Sequence, residues 1–186
     1  ARHKRASSAG RFRLSIDRSF SLSGAGLVVT GAVVSGAVGI DEYLLLSPAG
    51  LRARVRDIRV MGQPAKQAIA GDRAALNLSG ERLSREQAAR GTWVLDSAVH
   101  APTRNLDARL RLLASAPKPV KHWLPVHVHL AAGHVTGHLA LLGADPIAPG
   151  ETGFVELVLD EPVGALWGDR YIVRDQSARH TLGGGF

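Results

Sequence analysis

The sequence predicts an all-β chain made of two consecutive small antiparallel units, either barrels or sandwiches. Short segments rich in Val, Leu and Ile recur at regular spacing along the 186 residues. Clusters of Gly, Pro and Ser separate these segments and indicate tight turns. Only one stretch has the pattern of a helix, and two units of similar length fit the chain better than one.

The first unit is expected to span residues 11–99. Phe12–Ile16 alternates apolar and polar side chains, which is typical of a half-buried strand. Similar segments follow, bounded by turn signals such as Gly24-Ala25-Gly26, at 27–34, 43–46, 52–60, 74–78 and 92–95. Ser84 and Gln87 have the spacing of a capping box and Gly91 that of a C-cap, so a short helix is expected there. The polar residues 1–10 are expected to form a linker.

The second unit is expected to span residues 100–186, beginning at the boundary signal His100–Thr103. Its strand-like segments are 106–113, 125–130, 134–139, 153–159 and 171–174. The second and third of these form a hairpin around Ala131-Ala132-Gly133. His127 and His129 then share one strand face, and His129 is expected to lie across the hairpin from His134.

Composition and charge narrow the class of protein. Hydrophobic residues make up 45% and charged residues 21% of the chain, as in soluble globular proteins. The formal net charge of +7 favours an anionic partner, nucleic acid before membrane. The same charge is equally compatible with an ordinary basic surface. No apolar run approaches the ~20 residues of a membrane span, so no membrane partner is expected and the cytoplasm is the expected compartment.

Several kinds of catalytic site have no counterpart in the sequence. The chain has no Cys, which excludes disulfides, Cys-ligated zinc and a Cys nucleophile. It has no phosphate-binding Gly-x-x-x-x-Gly-Lys-Ser/Thr loop, no Gly-x-Ser-x-Gly elbow and no His-Glu-x-x-His helix. A binding module is therefore favoured over an enzyme, with no metal and no cofactor. The alternative from a different class is a metal-dependent β-barrel enzyme that uses His127, His129 and His134 as zinc ligands.

A row of arginines on one strand allows two interpretations. Arg52, Arg54 and Arg56 alternate with apolar residues, so the three guanidinium groups share one face. They could bind a phosphate backbone or form the solvated outer surface of the unit. The second interpretation is slightly preferred.

Six segments resemble the translational GTPases of the elongation factor Tu class over residues 11–186. In the first unit they are Phe12–Phe20, Gly24–Gly31, Arg54–Ile58 and Ala70–Gly80. In the second unit His134-Val135-Thr136-Gly137 is similar to the Asp-Val-Thr-Gly of that class, and Arg174–Gly185 is similar to its closing strands. The resemblance implies a translation-factor barrel followed by a barrel of the elongation factor Tu C-terminal type.

Within that class, three segments resemble the selenocysteine-specific elongation factors more than elongation factor Tu. They are Ile16-Asp17-Arg18, Asp72-Arg73 and the His-rich stretch Trp123–His134. This resemblance implies that Asp17, Arg18 and Arg73 line the pocket for the selenocysteyl group. It implies that the second unit contacts the acceptor and T-stem of selenocysteyl-tRNA, through Arg174 and Arg179, with His129 and His134 on a tRNA-facing surface.

The resemblance also implies binding partners, and further domains that lie outside these 186 residues. An intact factor delivers selenocysteyl-tRNA to the ribosome at recoded UGA codons, using GTP and magnesium bound by a GTPase domain that residues 1–10 would link. Winged-helix domains would follow in cis, and a monomer is expected. The 186 residues themselves are then not an enzyme. The runner-up is another translational GTPase, of the elongation factor Tu or initiation factor γ type, with a different aminoacyl pocket.

The implied pocket makes chemical sense. A selenol is more acidic than a hydroxyl, so selenocysteine is an anion at neutral pH, whereas the serine of the misacylated precursor is neutral. Two guanidinium groups stay protonated and favour the anion. A hydrogen bond to a charged group contributes about 1.5–3 kcal/mol, so two of them give roughly hundredfold discrimination.

Overall fold

The computed structural model describes residues 10–22, 26–143 and 145–186. The expected linker lies outside the described residues except for Gly10, and so do Gly24 and Ala25 of the expected first turn. The chain divides into two compact units between Ala101 and Pro102. Each unit contains a closed antiparallel barrel of six strands, which confirms the all-β fold class.

The first unit contains nine strands in its described part. They are β1 Arg13–Leu22, β2 Gly26–Ser35, β3 Ala37–Gly39, β4 Tyr43–Ser47, β5 Leu51–Val60, β6 Gln63–Ala65, β7 Gln67–Ile69, β8 Arg73–Ser79 and β9 Trp93–Leu95. The barrel order is β4-β9-β1-β2-β8-β5, closed by pairing of β4 with β5. Strand β6 extends the sheet from β5, and β3 pairs with β7.

The second unit contains six strands in its described part. They are β10 Thr103–Leu112, β11 Leu124–Leu130, β12 Gly133–Leu141, β13 Thr152–Val163, β14 Tyr171–Asp175 and β15 Thr181–Gly185. The barrel order is β10-β13-β12-β11-β14-β15, closed by pairing of β15 with β10. The expected hairpin is present as β11–β12, and His129 pairs directly with His134.

Aliphatic side chains fill the interior of both barrels. Leu14 and Ile16 on β1 are fully buried and pack with Leu76 of β8 in the first core. Leu110 of β10 and Leu157 of β13 play the same part in the second core. The alternation of apolar and polar residues that predicted the strands therefore separates inside from outside in both units.

The prediction of a helix at Ser84–Gly91 is wrong. The capping box itself forms, since the Ser84 amide lies 3.1 Å from Gln87 Oε1 and the Gln87 amide 3.4 Å from Ser84 Oγ. The turn does not propagate, because the Gly91 amide donates to the carbonyl oxygen of Ile16 on β1. One turn is a costly nucleus without following turns, and here the barrel hydrogen bond ends it. The described helical structure of this unit is a 3-10 turn, Ser97–Val99, capped by Asp96.

None of the helical segments in the described ranges is long or apolar enough to span a membrane.

Candidate functional site

Three neighbouring strands of the first barrel bring an acid, a hydroxyl and a guanidinium group together. Asp17 lies on β1, Thr30 on β2 and Arg73 at the start of β8. Arg73 Nη1 donates to Asp17 Oδ2 at 2.5 Å, and Thr30 Oγ1 donates to Asp17 Oδ1 at 2.9 Å. Two residues that are 56 positions apart in the sequence therefore form one ion pair, with Thr30 fixing the second carboxylate oxygen.

A β-bulge places Asp17 and Arg18 on the same face of the barrel. Ile16 pairs with Gly31 and Arg18 pairs with Thr30, so Asp17 is an extra residue on β1 with no partner on β2. Ile16 points into the core, whereas Arg18 is exposed. A bulge of this kind turns two successive side chains toward one side of a sheet. Both charges of the Asp17-Arg18 pair consequently lie on the outer surface, next to Arg73.

The electrostatics of the group keep Asp17 ionised. Burial alone would raise the pKa of its carboxyl group, but hydrogen bonds from Arg73 and Thr30, with the charges of Arg73 and Arg18, outweigh burial and hold the pKa below its ordinary value. The hydrogen bond to Asp17 in turn raises the pKa of Arg73. The Arg73 side chain is 55% exposed, whereas that of Asp17 is 22% exposed. The acid is thus the anchored partner, and the guanidinium group faces solvent.

Arg18 does not share this anchoring. It acts on Asp17 through its charge, and no hydrogen bond from its side chain is found within the described part of the chain. It is an exposed cation on the same face as Arg73. The structure therefore brings Asp17 and Arg73 into contact and leaves Arg18 beside them. Thr30, which sequence reasoning did not single out, completes the group.

Acid is expected to weaken the first barrel through Asp17. Because its folded-state pKa lies below the unfolded value of about 3.9, its contribution is complete above about pH 4 and is lost as the pH falls through the folded-state pKa. Asp17→Asn should lower the free energy of unfolding by about 1 kcal/mol at neutral pH, and this difference should vanish in acid. Urea unfolding at several pH values measures it.

The control for that measurement is Asp57→Asn. Asp57 is an exposed acid on β5 whose carboxylate lies 3.7 Å from Arg59 Nε. Exposed pairs of this kind contribute little, so no pH-dependent difference is expected. A difference between wild type and Asp17→Asn that stays constant from neutral to acid pH would contradict the assignment.

A second polar cluster covers the outer face of β11, β12 and β14 in the second barrel. The rings of His129 and His134 lie 5.6 Å apart, and those of His127 and His134 lie 6.0 Å apart. Arg174 pairs with His127 across β14 and β11. Burial, with the charges of His134, Arg174 and His127, lowers the pKa of His129. His129 is therefore held toward its neutral form, and Arg174 brings a guanidinium charge to the cluster.

The turn after β14 is organised by Asp175. Its carboxylate accepts hydrogen bonds from the Ser177 hydroxyl at 2.5 Å and from the backbone amides of Arg179 and His180 at 2.8 Å each. Together with His180, these donors hold the pKa of Asp175 well below its usual range. Arg179 is thereby held through its backbone in the turn that follows β14. Asp175 was not among the residues expected to be functional.

The three histidines proposed as zinc ligands do not form a metal site in the described part of the chain. No group of three His, Asp or Glu side chains is placed to hold an ion there. His127 Nε2 lies 3.1 Å from the carbonyl oxygen of Gln176 and donates to it. This hydrogen bond holds the His127 ring toward the backbone of Gln176. The alternative of a His-based metalloenzyme has no geometric support in these residues.

The row Arg52, Arg54 and Arg56 does alternate with buried residues, but its members have local partners. Arg52 lies over the ring of Tyr43 with its Cζ 3.9 Å from the ring centroid. Arg54 Nη2 forms a 2.9 Å ion pair with Asp41, and Arg56 Nε donates to Ser79 Oγ at 2.6 Å. These contacts fit the interpretation of a solvated outer surface.

Both barrels contain the same Thr-Gly arrangement. In the first, Thr30 donates to Asp17 and a Cβ at Gly31 would lie 1.9 Å from the carbonyl oxygen of Ser15. In the second, Thr136 donates to Asp160, and a Cβ at Gly137 would lie 2.3 Å from the carbonyl oxygen of Val158. Each acid follows the crowded carbonyl by two residues. The glycine lets two strands approach closely, and the threonine hydroxyl then reaches the acid on the neighbouring strand.

Comparison with known proteins agrees with this fold. Residues 107–186 match the family model of the β-barrel domain of selenocysteine-specific elongation factor. The chain is 40% identical over 173 residues to the selenocysteine-specific elongation factor of Escherichia coli (strain K12), covering 93% of this chain and 26% of that protein. It is 37% identical over 174 residues to the factor of that name from Desulfomicrobium baculatum, covering 94% and 27%.

A solved structure has a similar fold over the whole length of this chain. The crystal structure of translation elongation factor SelB from Methanococcus maripaludis, in its apo form, matches with a TM-score of 0.84 and 21% identity, covering 100% of this chain and 43% of that one. The chain spans about a quarter of the length of the curated relatives it matches.

Proposed function

The chain belongs to the selenocysteine-specific elongation factor family, and we propose that its two barrels are the part that binds selenocysteyl-tRNA. The observation that supports the proposal is the group on the outer face of the first barrel, where Arg73 is bonded to Asp17 and Arg18 lies beside them. We assign the selenocysteyl end of the tRNA to this group.

The chemistry of the group suits a selenolate. One nitrogen of Arg73 is bonded to Asp17, and a guanidinium group has five N–H donors in a planar fork. The remaining donors, with the charge of Arg18, can bind an anion. Asp17 holds the fork in orientation and offers an acceptor to the α-amino group. A neutral serine hydroxyl leaves the donors poorly paired, which penalises seryl-tRNA.

The second barrel is assigned to the acceptor and T-stem. Arg174 and the Asp175-organised turn that contains Arg179 supply cations for phosphates. His129 and His134 supply ring nitrogens on the same barrel. A tRNA backbone is an anionic surface of matching chemistry, and the net charge of +7 favours its approach.

An intact parent protein would use these barrels together with further domains. A GTPase domain would supply GTP and magnesium, and the parent would deliver the tRNA to the ribosome at recoded UGA codons. Winged-helix domains would complete it. The barrels alone are then not expected to hydrolyse GTP, and GTP turnover by the purified 186-residue chain would contradict the assignment.

Binding of two aminoacyl-tRNAs tests the proposal directly. Selenocysteyl-tRNA should bind the chain roughly a hundredfold more tightly than seryl-tRNA on the same tRNA body, because two charge-assisted hydrogen bonds together account for that ratio. Titration of fluorescently labelled tRNA measures both dissociation constants. Equal affinities would show that the group on the first barrel does not sense the amino acid.

A further inference from the structure

The outer face of the hairpin β11–β12 ends in a stacked pair of aromatic rings. Trp123, just before β11, lies over His138 of β12, with ring centroids 4.9 Å apart and planes inclined by 14°. Trp123 is 52% exposed, although a side chain of this size usually covers apolar surface. Its φ of +64° is in the left-handed region, which is unusual for a bulky residue. The fold thus keeps a strained, solvent-facing tryptophan flat on the barrel.

The ring pair is continuous with the polar cluster of the second barrel. His138 pairs with Pro125 and Thr136 pairs with His127, so these side chains share the outer face with His134 and His129. From His134 to His138 the face extends over roughly 13 Å, at ~3.3 Å per strand residue. One end therefore has His129 and His134, the middle has His127 with Arg174 beside it, and the other end has the stacked rings.

Two opposite charges flank the middle of this face, on its two sides. Arg174, next to His127, is its fixed cation. Asp160 accepts the hydroxyl of Thr136 and places a negative charge in the middle. Phosphates are therefore favoured on the β14 side, next to Arg174, and disfavoured on the β13 side, next to Asp160. The end of the face at Trp123 and His138 offers ring faces, which suit an uncharged planar group.

We propose that Trp123 and His138 form a stacking platform for an unpaired nucleobase of the RNA whose backbone binds at Arg174. This inference rests on the proposed function, since it takes RNA to be the ligand of the second barrel. Cations beside aromatic rings are the combination that binds single-stranded nucleic acid, because every base has a face that stacks. Bases inside a paired stem are not accessible to such a ring. The platform therefore selects a nucleotide outside the helix.

The test compares two RNAs: a paired stem with an unpaired 3′ extension, and the same stem with a blunt end. The extension should tighten binding to the 186-residue chain. Trp123→Ala should weaken binding of the extended stem about tenfold and leave the blunt stem unchanged, because stacking acts only on the unpaired base. Trp123→Phe should retain most of the preference, since a ring remains. Salt should weaken both stems alike, because backbone contacts are shared.

The matched control is Trp167→Ala. Trp167 is 98% exposed on another loop of the same barrel, and its loss should leave both affinities unchanged. Equal weakening of both stems by Trp123→Ala would overturn the platform, as would no effect on either stem, or an extension that does not tighten binding. The outcome is separable from that of the amino acid pocket. Loss of the selenocysteyl preference with an intact Trp123 effect would refute only the pocket, and the reverse result would refute only the platform.

Discussion

Gly31→Ala is expected to unfold the first barrel. A Cβ at this position would lie 1.9 Å from the carbonyl oxygen of Ser15, 2.8 Å from its carbonyl carbon and 2.9 Å from Leu14 Cδ2. Ser15 belongs to β1, which pairs with β2 along its whole length. Relief of the clash thus requires two strands of a closed barrel to separate, and not merely a change of rotamer.

The size of this effect follows from what the clash displaces. Overpacking of side chains in a core usually costs about 1–3 kcal/mol, and contact with backbone leaves less room to relax. We expect Gly31→Ala to cost more than about 4 kcal/mol, a large part of the stability of a domain. Gly137→Ala should do the same to the second barrel, where the Cβ would lie 2.3 Å from the carbonyl oxygen of Val158.

Urea unfolding followed by circular dichroism and tryptophan fluorescence measures both variants. Trp93 is buried in the first unit, so its emission reports on that barrel. Gly143→Ala is the matched control, because a Cβ there meets nothing within 4 Å and its backbone is not in the left-handed region. Near-wild-type stability of Gly31→Ala would refute the close approach of β1 and β2.

Removal of both arginines should abolish most of the discrimination between selenocysteyl-tRNA and seryl-tRNA. Arg73→Ala and Arg18→Ala are each expected to reduce the ratio of the two dissociation constants about tenfold, and the double variant about a hundredfold. Arg73 is expected to contribute more than Arg18 to orienting the selenocysteyl group, because its hydrogen bond to Asp17 fixes the direction of the guanidinium group. Arg73→Lys retains the charge but loses the planar set of donors. It should therefore preserve only part of the preference for selenocysteyl-tRNA.

The measurement is a titration of each variant with both aminoacyl-tRNAs. Arg82→Ala removes an exposed cation outside the Asp17 group and serves as the control for lost charge. Arg82→Ala should weaken the binding of both aminoacyl-tRNAs slightly and equally. An unchanged ratio in the double variant would mean that the amino acid is recognised elsewhere. A fall in affinity for both tRNAs without a change in ratio would assign Arg18 and Arg73 to the tRNA backbone instead.

The strands were predicted from residue pattern where side chains alternate, whereas the glycine-rich last strand was indicated only by the resemblance. The segments around Leu14, Val29 and Val128 have the alternation that a barrel requires. Strand β15 contains Gly183, Gly184 and Gly185 and has no such pattern. The structure gives the reason, because a Cβ at Gly185 would lie 1.6 Å from the carbonyl oxygen of Arg109. Only the neighbouring strand explains why side chains are missing there.

The candidate site was likewise predicted only in part from the sequence. The motifs around Asp17, Arg18 and Arg73 identified the residues by resemblance. The structure brings Asp17 and Arg73 into contact, and their role in a pocket stays a prediction. The sequence did not indicate Thr30 as a partner, because its hydroxyl reaches Asp17 only across two paired strands. It did not indicate Asp175 as the organiser of its turn either.

By itself the sequence determined the alternation of strands and turns, the absence of cysteine chemistry and the basic charge, since these depend on residue type and local spacing. Tertiary structure decided what the polar residues contact. Strict alternation would place Asp17 and Arg18 on opposite faces, and the bulge on β1 puts them on one. Closure of each barrel then joins residues far apart in the chain. These contacts depend on register, which local sequence does not encode.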